Sequence, residues 1–316
     1  MAREVLVNAE NLVKTFRVSG GSVQAVTDVS LKIYKGETLA LVGESGCGKS
    51  TLGRLLIRLI EPNSGNVCFD GTELMSLGKK ELRDFRKKMQ LIFQDPYASL
   101  DPRFTIEKCI SEPLRAAGYS AQQQHETVLA LAEKTGINPD HLGRYPHQFS
   151  GGQRQRVGIA RAIALHPQLI VCDEPVSALD VSIQAQTLNL LHDLQQQLGL
   201  TYLFISHDLG VVHYISDRVC VMFLGRVCEI GTTEQIYYHP RHPYTHYLLS
   251  ATPQIGKKGL DKDQLLTGEI PSPINPPSGC RFRTRCPYAT EKCAAEVPQL
   301  RGDDEHQFAC HYDIEL

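Results

Sequence analysis

Nine residues constrain this chain more than any others: Gly43, Glu44, Ser45, Gly46, Cys47, Gly48, Lys49, Ser50 and Thr51. Before them runs Leu39-Ala40-Leu41-Val42, short and apolar, as in a strand buried on both faces. After them Leu52, Leu55, Leu56 and Leu59 fall on one face at helical spacing. A glycine-rich turn between such flanks lets successive backbone N–H groups turn inward around phosphate oxygens. The N-terminus of the following helix adds a favourable dipole. Lys49 is then placed to neutralise the outer phosphates, and the Ser50 hydroxyl to ligate Mg²⁺.

The rest of the chain supports a mixed α/β fold. Val5-Leu6-Val7 and Val29 to Ile33 read as strands, with a turn at Lys35-Gly36-Glu37. From about Pro96 to Leu165 the pattern becomes helical, with Ser120 to Thr135 and Gly152 to Leu165 as examples. Strand character returns at Leu169 to Cys172, Tyr202 to Ile205 and Val219 to Met222. An α/β core is thus interrupted by a helical insertion and resumes. After Ala251 the chain turns rich in proline, serine and glycine, as in a linker to a small tail domain.

A phosphate loop needs a carboxylate at the end of a second apolar strand. Leu169-Ile170-Val171-Cys172-Asp173-Glu174 supplies one. Asp173 can hold Mg²⁺ through water, and Glu174, one residue on, is the candidate general base for a water in line with the phosphate.

Phe149-Ser150-Gly151-Gly152-Gln153-Arg154-Gln155-Arg156 precedes a helix shortly before that strand. It resembles the signature sequence of ABC-transporter ATPases, with Phe149 where leucine is more usual. Other elements are similar to that family in order: Phe16 for the adenine-stacking aromatic, Gln94 for the glutamine loop, Asp180 in Ser177-Ala178-Leu179-Asp180 for the D-loop, and His207 for the switch histidine. The resemblance implies a P-loop NTPase cassette with a RecA-like core, a β-subdomain and a helical signature subdomain at about 95–165. It implies ATP and Mg²⁺ as cofactors, Ser50, Gln94 and Asp173 at the magnesium, and Glu174, His207 and Gln94 in hydrolysis. Ser150, Gly151, Gly152 and Gln153 would act on the ATP of an opposite subunit.

Further segments resemble the oligopeptide and dipeptide importer ATPases: His239 to Pro253, Gly268 to Pro273, and Cys280 to Pro287. That resemblance implies a cassette over 1–250 and a transporter-type region over 251–316. Its partners would be a second, related ATPase chain, two transmembrane permeases and an extracytoplasmic solute-binding protein. Nickel, glycosides and antimicrobial peptides are the alternative cargoes. A DNA-repair ATPase would carry a long inserted coiled coil, a translation-associated protein two cassettes, and an exporter half a fused transmembrane domain; none of these is found in the sequence.

Charge and cysteine use bound the remainder. With 33 basic and 35 acidic residues there is no basic field to attract nucleic acid. No signal-type apolar core opens the chain, and its apolar runs are far below the roughly 20 residues of a membrane span. The expectation is a peripheral protein on the cytoplasmic face of the membrane. Cys280, Cys286, Cys293 and Cys310 cluster in the tail, with five, six and sixteen residues between them. A small polar tail is commonly stapled, and a reducing compartment disfavours disulfides. These four are therefore expected to bind one metal centre, a 4Fe–4S cluster with zinc as the alternative.

Overall fold

The computed structural model describes residues 3–95, 97–251 and 269–314. Pro96, at the expected opening of the helical stretch, and 252–268, at the front of the expected linker, lie outside the described residues. So do Thr252, Pro253 and Gly268 of the transporter-like segments. The chain divides into two compact units, Met1–Ser76 with Ile205–Leu316, and Leu77–Phe204.

The first unit opens with two long antiparallel strands, β1 (Val5–Val18) and β2 (Gly21–Tyr34). Only their fragments were legible in sequence, because register shifts such as the one between Ala9 and Leu12 break the alternation of inward side chains. Next come β3 (Thr38–Val42), buried at every residue, and α1 (Lys49–Leu56). Strands β4 (Ser64–Phe69) and β5 (Thr72–Glu73) complete a sheet ordered β2-β1-β4-β5.

The second unit contains α2 (Lys79–Phe85), β6 (Met89–Ile92), α3 (Ile106–Ala116), α4 (Ala121–Thr135), α5 (Gly151–Ile163), β7 (Leu169–Asp173), α6 (Val181–Leu198) and β8 (Thr201–Ile205). The expected helices are present with chemical punctuation. Ser120 and Gln123 form a capping box at the start of α4, and Gly136 ends it in the left-handed conformation. Helices α3, α4 and α5 pack on one another, burying Ile106, Ile110, Leu114, Val128, Leu131 and Val157. Strand β7, buried throughout, runs parallel to β6.

The first unit resumes with α7 (Leu209–Ile215), β9 (Arg218–Phe223), β10 (Arg226–Thr232), α8 (Thr233–Tyr238), α9 (Pro243–Ser250), α10 (Glu291–Ala295), β11 (Arg301–Gly302) and β12 (His306–Phe308). Its strands lie in the order β11-β12-β10-β9-β3, with β3 and β9 parallel. The tail does not stand apart as the expected small extension. Phe282 is buried in one apolar cluster with Phe223, Tyr244, Val42 and Val221, and β12 pairs with β10. The physical reason is that 269–314 carries too few large apolar residues for a core of its own, so Phe282 and Phe308 are buried in the core of the unit it joins, while Ile270, Tyr288 and Tyr312 stay exposed.

Candidate nucleotide site

The phosphate loop is held between β3 and α1 by two glycines whose places no other residue could fill. At Gly43, with φ +146°, a Cβ would lie 2.1 Å from the Met222 carbonyl oxygen. At Gly48, with φ +106°, it would lie 2.0 Å from that of Ala25. Lys49 is 5% exposed, and its Nζ donates to the carbonyls of Gly43 at 2.8 Å and Glu44 at 3.0 Å. The ammonium is thus already folded back over the loop that would receive phosphate. Ser45 and Gly46 are exposed at the loop tip, and Ser50 and Thr51 are half-buried in the first turn of α1. Cys47 is buried, and that burial pushes its thiol pKa up.

Two residues without a site role in the sequence reading also hold this loop. The Glu44 N–H donates to Tyr244 Oη at 3.0 Å. The Glu44 carboxylate accepts from Arg285 Nη1 at 3.0 and 2.9 Å. They stand 200 and 241 residues away in the chain, so no local spacing could have disclosed them. Phe16 on β1 is 38% exposed, its ring approached by Lys14 Nζ at 5.2 Å from the centroid.

Within the second unit, Asp173 ends β7 and is 2% exposed, as a carboxylate at a strand terminus rather than on a solvated helix. Glu174 follows with φ +49°, a left-handed conformation that costs a non-glycine residue energy and re-aims its side chain. Gln94 Nε2 donates to Glu174 Oε2 at 2.9 Å, so these two expected residues are brought together across 80 positions. Ser150 caps α5: its Oγ accepts from Gln153 N at 3.3 Å, while Gln153 Oε1 accepts from Ser150 N at 3.0 Å. A Cβ on Gly152 would lie 2.4 Å from Ile183 Cγ2, so glycine lets α5 meet α6 closely; Gly151 has room. Phe149 is buried with an edge contact to His141, which explains how an aromatic is accommodated there. Asp180 is exposed at the N-cap of α6.

His207, in the first unit, is exposed two residues after the end of β8. Asp208, the next residue, caps α7 by accepting from Gly210 N at 2.8 Å and Val211 N at 3.1 Å.

The tail cysteines do not form the expected ligand set. Among the described residues no group of three or more His, Cys, Asp or Glu side chains is arranged to hold a metal ion. All four are free thiols and line one cavity of about 20 Å³. Burial pushes the thiols of Cys280, Cys286 and Cys310 up, Cys286 to about 11, and the neighbouring cysteines add to the effect. Thiols so biased to the protonated form have no electrostatic reason to converge to ligand distances. Mg²⁺ makes no such demand, since it takes one or two protein oxygens and otherwise phosphates and water. Taken each in its own unit, the Ser50 hydroxyl and the buried Asp173 carboxylate are oxygen donors of the kind Mg²⁺ takes.

A family described as ABC transporter matches residues 26–177, and one described as the oligopeptide/dipeptide transporter C-terminal region matches 228–293. The chain is 51% identical to the oligopeptide transport ATP-binding protein OppF of Escherichia coli, over 98% of this chain and 96% of that one. It belongs to the ABC transporter family. Within the family it is also 51% identical to the oligopeptide transport ATP-binding protein AppF of Bacillus subtilis, over 94% and 92% of the two chains. Among solved structures it is similar to the ATP-binding cassette MJ0796 in a post-hydrolysis dimer bound to ADP and Pi, at TM-score 0.66 and 29% identity. That match covers 72% of this chain and 98% of that cassette. The protein is thus an ABC ATPase of the oligopeptide/dipeptide type. Phe16, Asp180 and His207 lie outside the two matched spans.

Proposed function

We propose that this chain binds Mg-ATP on the Gly43 to Thr51 loop and hydrolyses it to power peptide import through a membrane transporter. The observation that carries the hydrolytic reading is the Glu174 carboxylate, set by a left-handed backbone directly after buried Asp173 and held by Gln94. In this reading Lys49 leaves its carbonyl partners for the outer phosphates, and Phe16 stacks on the adenine. Ser50, Asp173 and Gln94 would hold Mg²⁺, which would supply charge neutralisation at the phosphate oxygens. Glu174 takes the proton of the attacking water, and His207 senses the terminal phosphate. Ser150 to Gln153 and Asp180 serve the ATP of a second, related ATPase chain, so each nucleotide joins two subunits.

The oligopeptide-type match over 228–293 and the similarity to the oligopeptide transport ATP-binding proteins OppF and AppF support peptides over nickel, glycosides or antimicrobial peptides as cargo. The partners are two permeases and an extracytoplasmic solute-binding protein. No described helix is long and apolar enough to cross a membrane, which suits a peripheral place on the cytoplasmic face. Copurification with its permeases should give an ATPase stimulated by peptide-loaded binding protein. The chain alone should hydrolyse slowly, at a specific rate rising with its concentration. A high, concentration-independent rate from a demonstrated monomer would refute the two-subunit site.

For the tail we propose that Cys280, Cys286, Cys293 and Cys310 close on a 4Fe–4S cluster, with zinc as the alternative. That all four line one cavity supports it. Metal would supply the charge that makes thiolates stable there. Anaerobically purified protein should contain several irons per chain; protein free of both iron and zinc would refute the reading.

A further inference from the structure

The phosphate loop carries a charge of the wrong sign. Glu44 sits second in a loop meant to receive a polyanion, and a carboxylate there repels phosphate oxygens unless it is neutralised. Arg285 lies against it, with both side chains largely withdrawn from water, at 7% exposure for Arg285 and 20% for Glu44. Arg285 Nη1 donates to both Glu44 oxygens, its Nε has no hydrogen-bond partner, and its guanidinium carbon lies 5.9 Å from the centroid of the Phe223 ring, so the Glu44 carboxylate takes its hydrogen bonds while the ring supports it.

The elements behind Arg285 explain how a tail residue reaches so far. Phe282 is buried against the rings of Phe223 and Tyr244, at centroid distances of 5.4 and 5.3 Å. A turn closed by Arg285 N to the Phe282 carbonyl at 3.0 Å then carries the guanidinium to the loop. Tyr244 is in the same aromatic cluster and holds the Glu44 N–H. The next residue, Cys286, lines the thiol cavity.

We propose that Arg285 is a positioning residue of the nucleotide site, cancelling the Glu44 charge and fixing the loop so that it accepts Mg-ATP. The inference rests on the proposed nucleotide binding by this loop. Loss of the guanidinium exposes the incoming phosphates to a carboxylate, so the defect grows with nucleotide charge and disappears when the carboxylate goes too. A role in packing alone predicts neither.

The test measures equilibrium affinity of the full purified chain for Mg-ATP and Mg-ADP, with thermal melts of every variant. Arg285→Ala should bind Mg-ATP about tenfold more weakly, a cost of about 1.4 kcal/mol, and Mg-ADP less so. Arg285→Lys should keep most of the affinity. Adding Glu44→Gln to Arg285→Ala should restore binding toward that of the unaltered chain. Should Arg285→Ala not fold, Arg285→Gln decides by the same comparison, since it should lose Mg-ATP affinity alone and regain it when Glu44→Gln is added. Unchanged affinity in folded Arg285→Ala, an equal loss for both nucleotides, or a double variant no better than the single one would each overturn the inference. Lys49→Ala separates the two readings. If the unaltered chain shows no Lys49-dependent binding, the nucleotide site itself fails and the inference falls with it. If that binding is present and Arg285 is indifferent, only the inference fails.

Discussion

Replacing Glu174 by glutamine removes a proton acceptor while leaving almost everything else in place. The amide oxygen can still accept from Gln94 Nε2, now 2.9 Å from Oε2, and the left-handed backbone at φ +49° is untouched. Nucleotide affinity should therefore change little. General base catalysis contributes about 100- to 10,000-fold, so turnover should fall by that factor, or about 3 to 5 kcal/mol in the barrier. Glu174→Gly separates carboxylate from strain. It relieves a left-handed penalty of about 1–2 kcal/mol but adds chain entropy of about 0.4–1 kcal/mol to the unfolded state. Stability should shift by no more than about 1.6 kcal/mol while turnover falls as far as in Glu174→Gln. The assay is steady-state phosphate release from the assembled transporter, alongside equilibrium Mg-ATP binding and a thermal melt. Turnover within threefold of the unaltered transporter in Glu174→Gln would refute the assignment. So would equal losses of binding and turnover.

Two further outcomes follow from packing and protonation. Gly152→Ala places a methyl against Ile183 Cγ2 and should cost about 1–3 kcal/mol by overpacking; Ile183→Ala in the same chain should recover part of it, measured by denaturant unfolding. His242 is buried, which lowers its pKa from 6.5 to about 4 although nearby Glu229 opposes the shift. The unfolded chain thus takes up this proton first, so stability is complete above pH 6.5 and declines as pH falls toward 4. The decline from this residue is about 3 kcal/mol. His242→Asn keeps an acceptor for Tyr244 N, which His242 Nδ1 receives at 3.1 Å, and should flatten that decline in pH-dependent melts.

What the sequence disclosed were features written in consecutive residues: the loop at 43–51, the strand ending at Asp173, the signature-like segment at Phe149 to Arg156 before a helix. Each is specified by local backbone geometry, so neighbouring residue types betray it. Gln94 was named only through resemblance, and its contact to Glu174, 80 residues on, was not readable at all. Arg285 on Glu44, Ile183 against Gly152 and Phe282 against Tyr244 join residues at separations that leave no periodic trace. The tail misled for the same reason. Its proline and cysteine content describes a poor core, and says nothing of which neighbouring core its few aromatics will enter. Lengths of β1 and β2 were hidden by their register shifts, since a bulge inverts the alternation by which a strand is recognised.

The pairing of β12 with β10 also bears on how safely this chain exists before it meets its partners. Strand β10, seven residues long and buried at five of them, would otherwise end the sheet with a row of unpaired N–H and C=O groups. Such an edge invites strands from other molecules. The tail covers it with three residues of β12 and finishes on β11, only two residues long. So brief a border offers almost no template for a foreign strand. Chains shortened before His306 should therefore fail by aggregation even where the nucleotide loop is intact, and the tail serves solubility during synthesis as much as stability afterwards.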